Sequence, residues 1–274
     1  YEPGSRFKVI TATAALDSGS VTLNNHYSCS GRIHVADRFV RCANARGHGA
    51  QTFAQSLQNS CNPAFITWGL MTGKDNMVKY MESLGLYSKT GVDLPGEAGS
   101  IIHKTENIKE LDLAIMSFGQ SFQITPLQLL RAVSAVVNGG KLVTPHFGVK
   151  KIDTEGNISV LEYEESGTII KQSTTETMRG LLKNVVELGG GLNCRIEGYS
   201  IAGKTATSEK LPRGNGKYIA SFIGIAPAEN PQVIAMCIID EPVGMHYGGV
   251  IAAPVVKSLF ENILPYLGIE KGQM

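Results

Sequence analysis

Ser5-Arg6-Phe7-Lys8, directly behind Glu2-Pro3-Gly4, sets a hydroxyl and an amine three residues apart. If the stretch opens a helix, both side chains lie on one face. A serine alcohol attacks a carbonyl only when a neighbouring base takes its proton, and a lysine one turn away can be that base if its surroundings keep it neutral. A plainer reading also exists, with the serine capping the helix and the lysine reaching solvent. Two distant segments favour chemistry. Ser60-Cys61-Asn62 places a second hydroxyl two residues before an amide, and Lys204-Thr205-Ala206-Thr207 places a second cation on a predicted strand.

Working outward, the first helix is predicted over residues 5–17, with Phe7, Ile10 and Ala14 inward and Gly19 ending it. Residues 27–42 read as one hairpin turning near Ala36-Asp37, and 51–69 as two helices around Pro63. Thr125-Pro126 supplies an N-cap and a first helical position for a core helix that Asn138-Gly139 stops. The last third is strand-rich. Segments 199–208, 217–227 and 233–241, joined by short turns at Arg213-Gly214-Asn215-Gly216 and Glu229-Asn230-Pro231, predict an antiparallel meander. Val233-Ile234-Ala235-Met236-Cys237-Ile238-Ile239 is apolar on both faces, which calls for helices on each side of the sheet. The nucleophile helix and a last helix over 251–267 are the predicted covers.

The 274 residues, 43% hydrophobic and 18% charged with a net charge of +1, fit a single catalytic domain over residues 1–274. The 25 lysines and arginines are scattered, so no basic field for nucleic acid or an anionic membrane is expected. No apolar run approaches the roughly 18 to 20 residues that cross a bilayer. No carboxylate pair has the context of a glycosidase, and no glycine-rich phosphate loop precedes a helix.

The ordered trio of Ser5-Arg6-Phe7-Lys8, Ser60-Cys61-Asn62 and Lys204-Thr205-Ala206 resembles the S-x-x-K, S-x-N and K-T-G set of the serine acyltransferases that react with penicillin. The likeness is strongest to class B penicillin-binding proteins, the peptidoglycan D,D-transpeptidases. It extends through Gly47-His48-Gly49, Gly119-Gln120-Ser121, Thr125-Pro126-Leu127-Gln128, Asn138-Gly139-Gly140, Gly189-Gly190-Gly191 and Phe222-Ile223-Gly224-Ile225-Ala226-Pro227. The cysteine-bearing segment 27–48 is most similar to Gram-positive division or sporulation-specific members.

The resemblance implies an α/β (α+β) fold of the penicillin-recognising serine transpeptidase type: an antiparallel central sheet covered by helices on both faces, with a mostly helical subdomain. Family members carry two strands and a helix ahead of the nucleophile, so the expectation is a domain truncated on its N-terminal side, its sheet lacking upstream strands. The implied activity is cross-linking of peptidoglycan stem peptides through an acyl-enzyme on Ser5, with β-lactam antibiotics acylating the same serine. Lys8 acts as base, Ser60 relays a proton, Asn62 serves the network or the substrate amide, and Lys204 with Thr205 holds the terminal carboxylate. Backbone N–H groups of Ser5 and Thr207 form the oxyanion hole.

Ala206 stands where the family usually has glycine, and its methyl is expected to narrow the cleft. No cofactor is required for the chemistry. Expected partners are a glycosyltransferase and other divisome or sporulation proteins, with a membrane anchor outside this chain and the domain on the extracytoplasmic side. Two alternatives stand beside this reading: a β-lactamase or D,D-carboxypeptidase, which needs a second base for water, and a non-catalytic penicillin sensor or scaffold.

Five cysteines raise a second site. Cys29 and Cys42 fall nearly opposite on the predicted hairpin, with His48 close behind. Three readings compete: free buried thiols, a disulfide, or a structural zinc whose fourth ligand is Asp37 or His34. Cys61 is expected merely to pack, Cys194 to sit on a loop and Cys237 in the core. His26, His103, His146 and His246 have no ligand spacing.

Overall fold

The computed structural model describes residues 1–272. Its centre is a three-stranded antiparallel sheet in which Tyr218–Ala226 lies between Ala202–Glu209 and Val233–Asp240. The register pairs Lys204 with Ile223 and Ala206 with Ser221 on one side, and Phe222 with Cys237 on the other. The middle strand is the buried one, and its alternating side chains divide the core. Phe222 and Ala226 pack with Val256, Phe260 and Leu264 of the last helix, Ala253–Tyr266, while Ile223 and Ile225 join the larger cluster on the opposite face. Val233–Asp240, predicted to be apolar and covered on both faces, is only half-buried along most of its length because it is the outer strand of the described sheet.

The nucleophile segment opens as a 3-10 turn, Gly4–Arg6, and continues as the α-helix Lys8–Asp17. An inward stripe was too modest an expectation for it. Nine of its ten residues are buried, because Asn62–Thr72, Lys74–Ser83, Pro126–Val137 and Gln172–Leu188 pack around it. A helix with no solvated face needs no amphipathic pattern. It therefore lies at the heart of the helical subdomain, and Gln172–Leu188 is the helix laid most extensively on the strand that carries Lys204.

Pro126–Val137 starts as its sequence predicts: Thr125 Oγ1 accepts the Gln128 N–H at 3.1 Å while Gln128 Oε1 accepts the Thr125 N–H at 2.8 Å. The predicted hairpin over 27–42 is half right. Arg32–Val35 pairs with Arg38–Arg41, but His26–Cys29 leaves that hairpin and pairs with Gly49–Thr52. The loop between Arg41 and Gly49 thus folds back on Cys29, which matters below.

Candidate active site

Ser5 is half-buried on its turn, and Lys8 follows one turn later with no exposed surface. Lys8 Nζ lies 3.0 Å from Ser5 Oγ, 2.7 Å from the Ser60 carbonyl oxygen, 3.1 Å from Ser60 Oγ and 2.7 Å from Asn62 Oδ1. Lys204, also fully buried, donates to Ser60 Oγ at 3.0 Å and to the Thr205 carbonyl at 3.3 Å. Three stretches separated by more than fifty residues each thus meet on one hydroxyl-bridged pair of amines. Burial pushes the Lys8 pKa well below the ordinary lysine value, and the charge of Lys204 pushes it the same way. Burial alone brings Lys204 down to about 7.

The contacts of Lys8 suit a neutral amine. The Ser60 carbonyl and Asn62 Oδ1 are pure acceptors that take two of its N–H groups, and the two hydroxyls, Ser5 Oγ and Ser60 Oγ, can each donate or accept. Ser60 owes its place to a left-handed backbone (φ 53°) at the turn between Phe53–Gln58 and Asn62–Thr72. A non-glycine residue rarely adopts that conformation, and here it aims both the carbonyl and the hydroxyl at Lys8.

The nucleophile turn rests directly on the Lys204 strand. Gly4 (φ +57°) has no room for a side chain, since a Cβ there would come 1.9 Å from Ser208 Oγ. Its N–H donates to the Gly119 carbonyl at 2.8 Å, which ties the turn to the loop after Glu110–Met116. Lys204, Ala206 and Ser208 alternate onto this face. Ala206 is 3% exposed, with its methyl toward Gly4, so the expectation that it narrows the open cleft is corrected: the methyl fills space beneath the nucleophile. Thr205 and Thr207 point the other way. Thr207 Oγ1 accepts the Gly248 N–H at 3.0 Å, and a Cβ on Gly190 would crowd Thr205 Oγ1 at 3.3 Å, so glycine keeps space beside that hydroxyl.

The chain matches a family model described as the penicillin binding protein transpeptidase domain, over residues 1–261. The chain belongs to the penicillin-binding protein transpeptidase family. Within it, the chain is 38% identical to stage V sporulation protein D of Bacillus subtilis over 98% of its length, covering 43% of that protein. It is 32% identical to the probable peptidoglycan D,D-transpeptidase PenA of Neisseria flavescens, again over 98% of its length and covering 65% of the relative. The chain therefore spans about two fifths to two thirds of the length of these curated relatives. Among solved structures, the transpeptidase domain of penicillin-binding protein 3 from Burkholderia pseudomallei superposes with a TM-score of 0.87 at 26% identity, covering all of this chain and 82% of that one. Apo penicillin-binding protein 3 of Mycobacterium tuberculosis gives 0.90 at 25% identity, covering 100% and 64%. The penicillin-binding fold thus accounts for the mixed α/β architecture, and no helix among the described residues is long and apolar enough to cross a membrane.

The residues of the second predicted site cluster, but with a different fourth member. Cys29, Cys42, His48 and Cys61 bring one ligand atom each to within 4.8 Å of one another. Cys42 Sγ is 3.6 Å from His48 Nδ1. Asp37 and His34 are not in this cluster. Asp37 is exposed beside Arg38, and the His34 ring packs edge-on against Phe39, because the hairpin carries both away from the loop holding His48. Cys61 enters from the start of Asn62–Thr72, flanked by Ser60 and Asn62.

Backbone N–H groups surround the cluster. The Gly31 N–H donates to Cys29 Sγ at 3.4 Å, N–H groups of Asn44 and Asn62 reach Cys42, and that of Ala64 reaches Cys61. The hydrogen bond with Cys61, helped by those two amides, pulls Cys42 down to about 5, and the same partner pushes Cys61 up. No disulfide joins any of the five cysteines. Cys61 was missed because its place inside a catalytic motif suggested packing; its position next to Asn62, which Lys8 contacts, was the available signal.

Proposed function

We propose that the protein is a peptidoglycan D,D-transpeptidase working through an acyl-enzyme on Ser5. The observation that carries this reading is the Lys8 amine, buried beside a second buried lysine and 3.0 Å from Ser5 Oγ. An ordinary lysine would be neutral in about one molecule in two thousand at pH 7, so its burial supplies a base that solvent exposure would not. Ser5 gives its proton to Lys8 as its oxygen bonds to the penultimate D-alanine carbonyl of a stem peptide. The bond to terminal D-alanine then breaks, and Ser60, between Lys8 and Lys204, relays the proton to the leaving amine.

An amine from a neighbouring stem next attacks the ester; Lys8 takes its proton and hands it to Ser5 Oγ as the C–O bond breaks, which restores the hydroxyl and the neutral amine. Lys204 and Thr205 hold the terminal carboxylate, and backbone N–H groups of Ser5 and Thr207 receive the oxyanion, a role in which one lost donor costs about 100- to 1000-fold. The close seating of the Gly4 turn on the Ala206 and Ser208 side chains, which brings that turn to the strand, supports that pairing. The natural setting for this substrate is the extracytoplasmic face of the cell membrane, with glycan strands supplied by a glycosyltransferase and with division or sporulation proteins as companions. Incubation with a fluorescent penicillin should label the protein at one site and leave Ser5→Ala unlabelled. A stem-peptide mimic plus an acceptor amine should then turn over. Labelling without amine-dependent turnover would favour a penicillin sensor, and rapid loss of label a hydrolase.

We further infer that Cys29, Cys42, His48 and Cys61 hold a structural zinc ion. Three sulfurs and an imidazole are a donor set zinc prefers, and the N–H groups aimed at the sulfurs support deprotonated thiols. The ion would take no part in acyl transfer; it would fix Cys61, and with it the backbone of Ser60 and Asn62. Purified protein dialysed against metal-free buffer should retain about one zinc per chain, Cys42→Ser should lose it, and wild-type content below about 0.1 would rule the site out.

A further inference from the structure

Beside Asn62 a cleft of about 420 Å³ opens between the Arg32–Val35/Arg38–Arg41 hairpin, the helix Glu110–Met116 and the loop after Glu209. It is continuous with the nucleophile network, because Asn62 Oδ1 accepts from Lys8 and Glu209 ends the strand that carries Lys204. Phe39, Ile115 and Phe118 are among its apolar lining, and Arg38, Arg41 and Arg213 are its cations.

These arginines are not equally occupied. Arg213 is tied to Glu2 and to the Glu209 carbonyl, so it braces the loop. The carboxylate in the wall, Glu209, accepts the Gly214 N–H at 2.7 Å. Arg38 has an exposed, 3.7 Å contact with Asp37, and Arg41 has no ion-pair partner among the described residues. Neither guanidinium group is held by a buried ion pair among the described residues.

The strand supplies a ruler. Thr205 and Glu209 are four residues apart, about 13 Å at strand spacing. A stem whose terminal carboxylate sits at Lys204 and Thr205, and whose backbone follows this strand, reaches the cleft with residues two to three positions before the scissile bond. We propose that Arg41 and Arg38 select donor stems that bear a free carboxylate at those positions. The inference rests on the transpeptidase reading, and its chemistry is a forked guanidinium on a carboxylate beside an apolar lining.

The test compares two synthetic peptides ending in D-alanyl-D-alanine that differ only in a free carboxylate or a carboxamide at the residue two positions before the scissile bond. For the wild-type protein, kcat/KM should favour the free acid about ten- to a hundredfold. The preference should shrink toward unity in Arg41→Gln/Arg38→Gln, return with Arg41→Lys/Arg38→Lys, and, in the unaltered protein, fall as salt is raised. Equal use of both peptides by the wild type, or an unchanged preference in the glutamine variant, overturns the inference. Failure of the wild type to be labelled by penicillin overturns instead the transpeptidase reading beneath it.

Discussion

Two fully buried lysines share one hydroxyl here, and burial lowers the pKa of both. The charge of Lys204 adds to the lowering of Lys8, while Lys204 is brought to about 7 by burial alone. In the proposed mechanism acylation needs Lys8 neutral and Lys204 charged. Loss of the Lys8 proton raises the rate as pH rises, and above about 7 Lys204 loses its own and the carboxylate clamp weakens. The acylation rate with a penicillin bearing its free carboxylate should therefore trace a bell whose alkaline limb begins near neutrality. A rate still rising into the ordinary lysine range would contradict this assignment. Ser60 is the residue that makes the pair communicate, and its left-handed backbone is the strain carried for it.

Two elements meet at the nucleophile, a 3-10 turn and a strand, with no side chain at Gly4 to hold them apart. Ala206 packs beneath that turn, which assigns its methyl to support instead of cleft shape. Ala206→Gly should lower stability by about 0.5–1 kcal/mol through backbone entropy and lost packing, read as a shift in denaturation midpoint. Acylation by a bulky cephalosporin should not become faster; a marked acceleration would restore the methyl as a steric gate.

The molecule as a whole is a sheet with two apolar clusters of unequal size, and the chemistry sits on the larger side. Phe260, fully buried, and Val256 of the last helix form the smaller side, where Gly224 allows contact so close that a Cβ would come 2.8 Å from Val256 Cγ1. Phe260→Ala should cost about 3–5 kcal/mol in unfolding free energy. The fraction that remains folded should still be labelled by penicillin at the wild-type rate, since Lys204 and Ser5 lie across the sheet. Loss of labelling in folded protein would mean that the two faces are mechanically coupled.

Chain order and local chemistry were enough to read much of this protein. The S-x-x-K, S-x-N and K-T segments, the Thr125 cap and the three-strand meander are short-range patterns whose cause lies within a few residues. The full burial of the Lys8–Asp17 helix, the recruitment of Cys61 in place of Asp37 or His34, and the convergence of Arg41 with Arg213 across a cleft were not legible. Each depends on packing between segments distant in sequence. His26–Cys29 chose Gly49–Thr52 over the nearer strand, and with that one pairing the loop bearing His48 was folded over Cys29. Local propensity says that a strand will form, but which partner it takes is settled by the surface it buries.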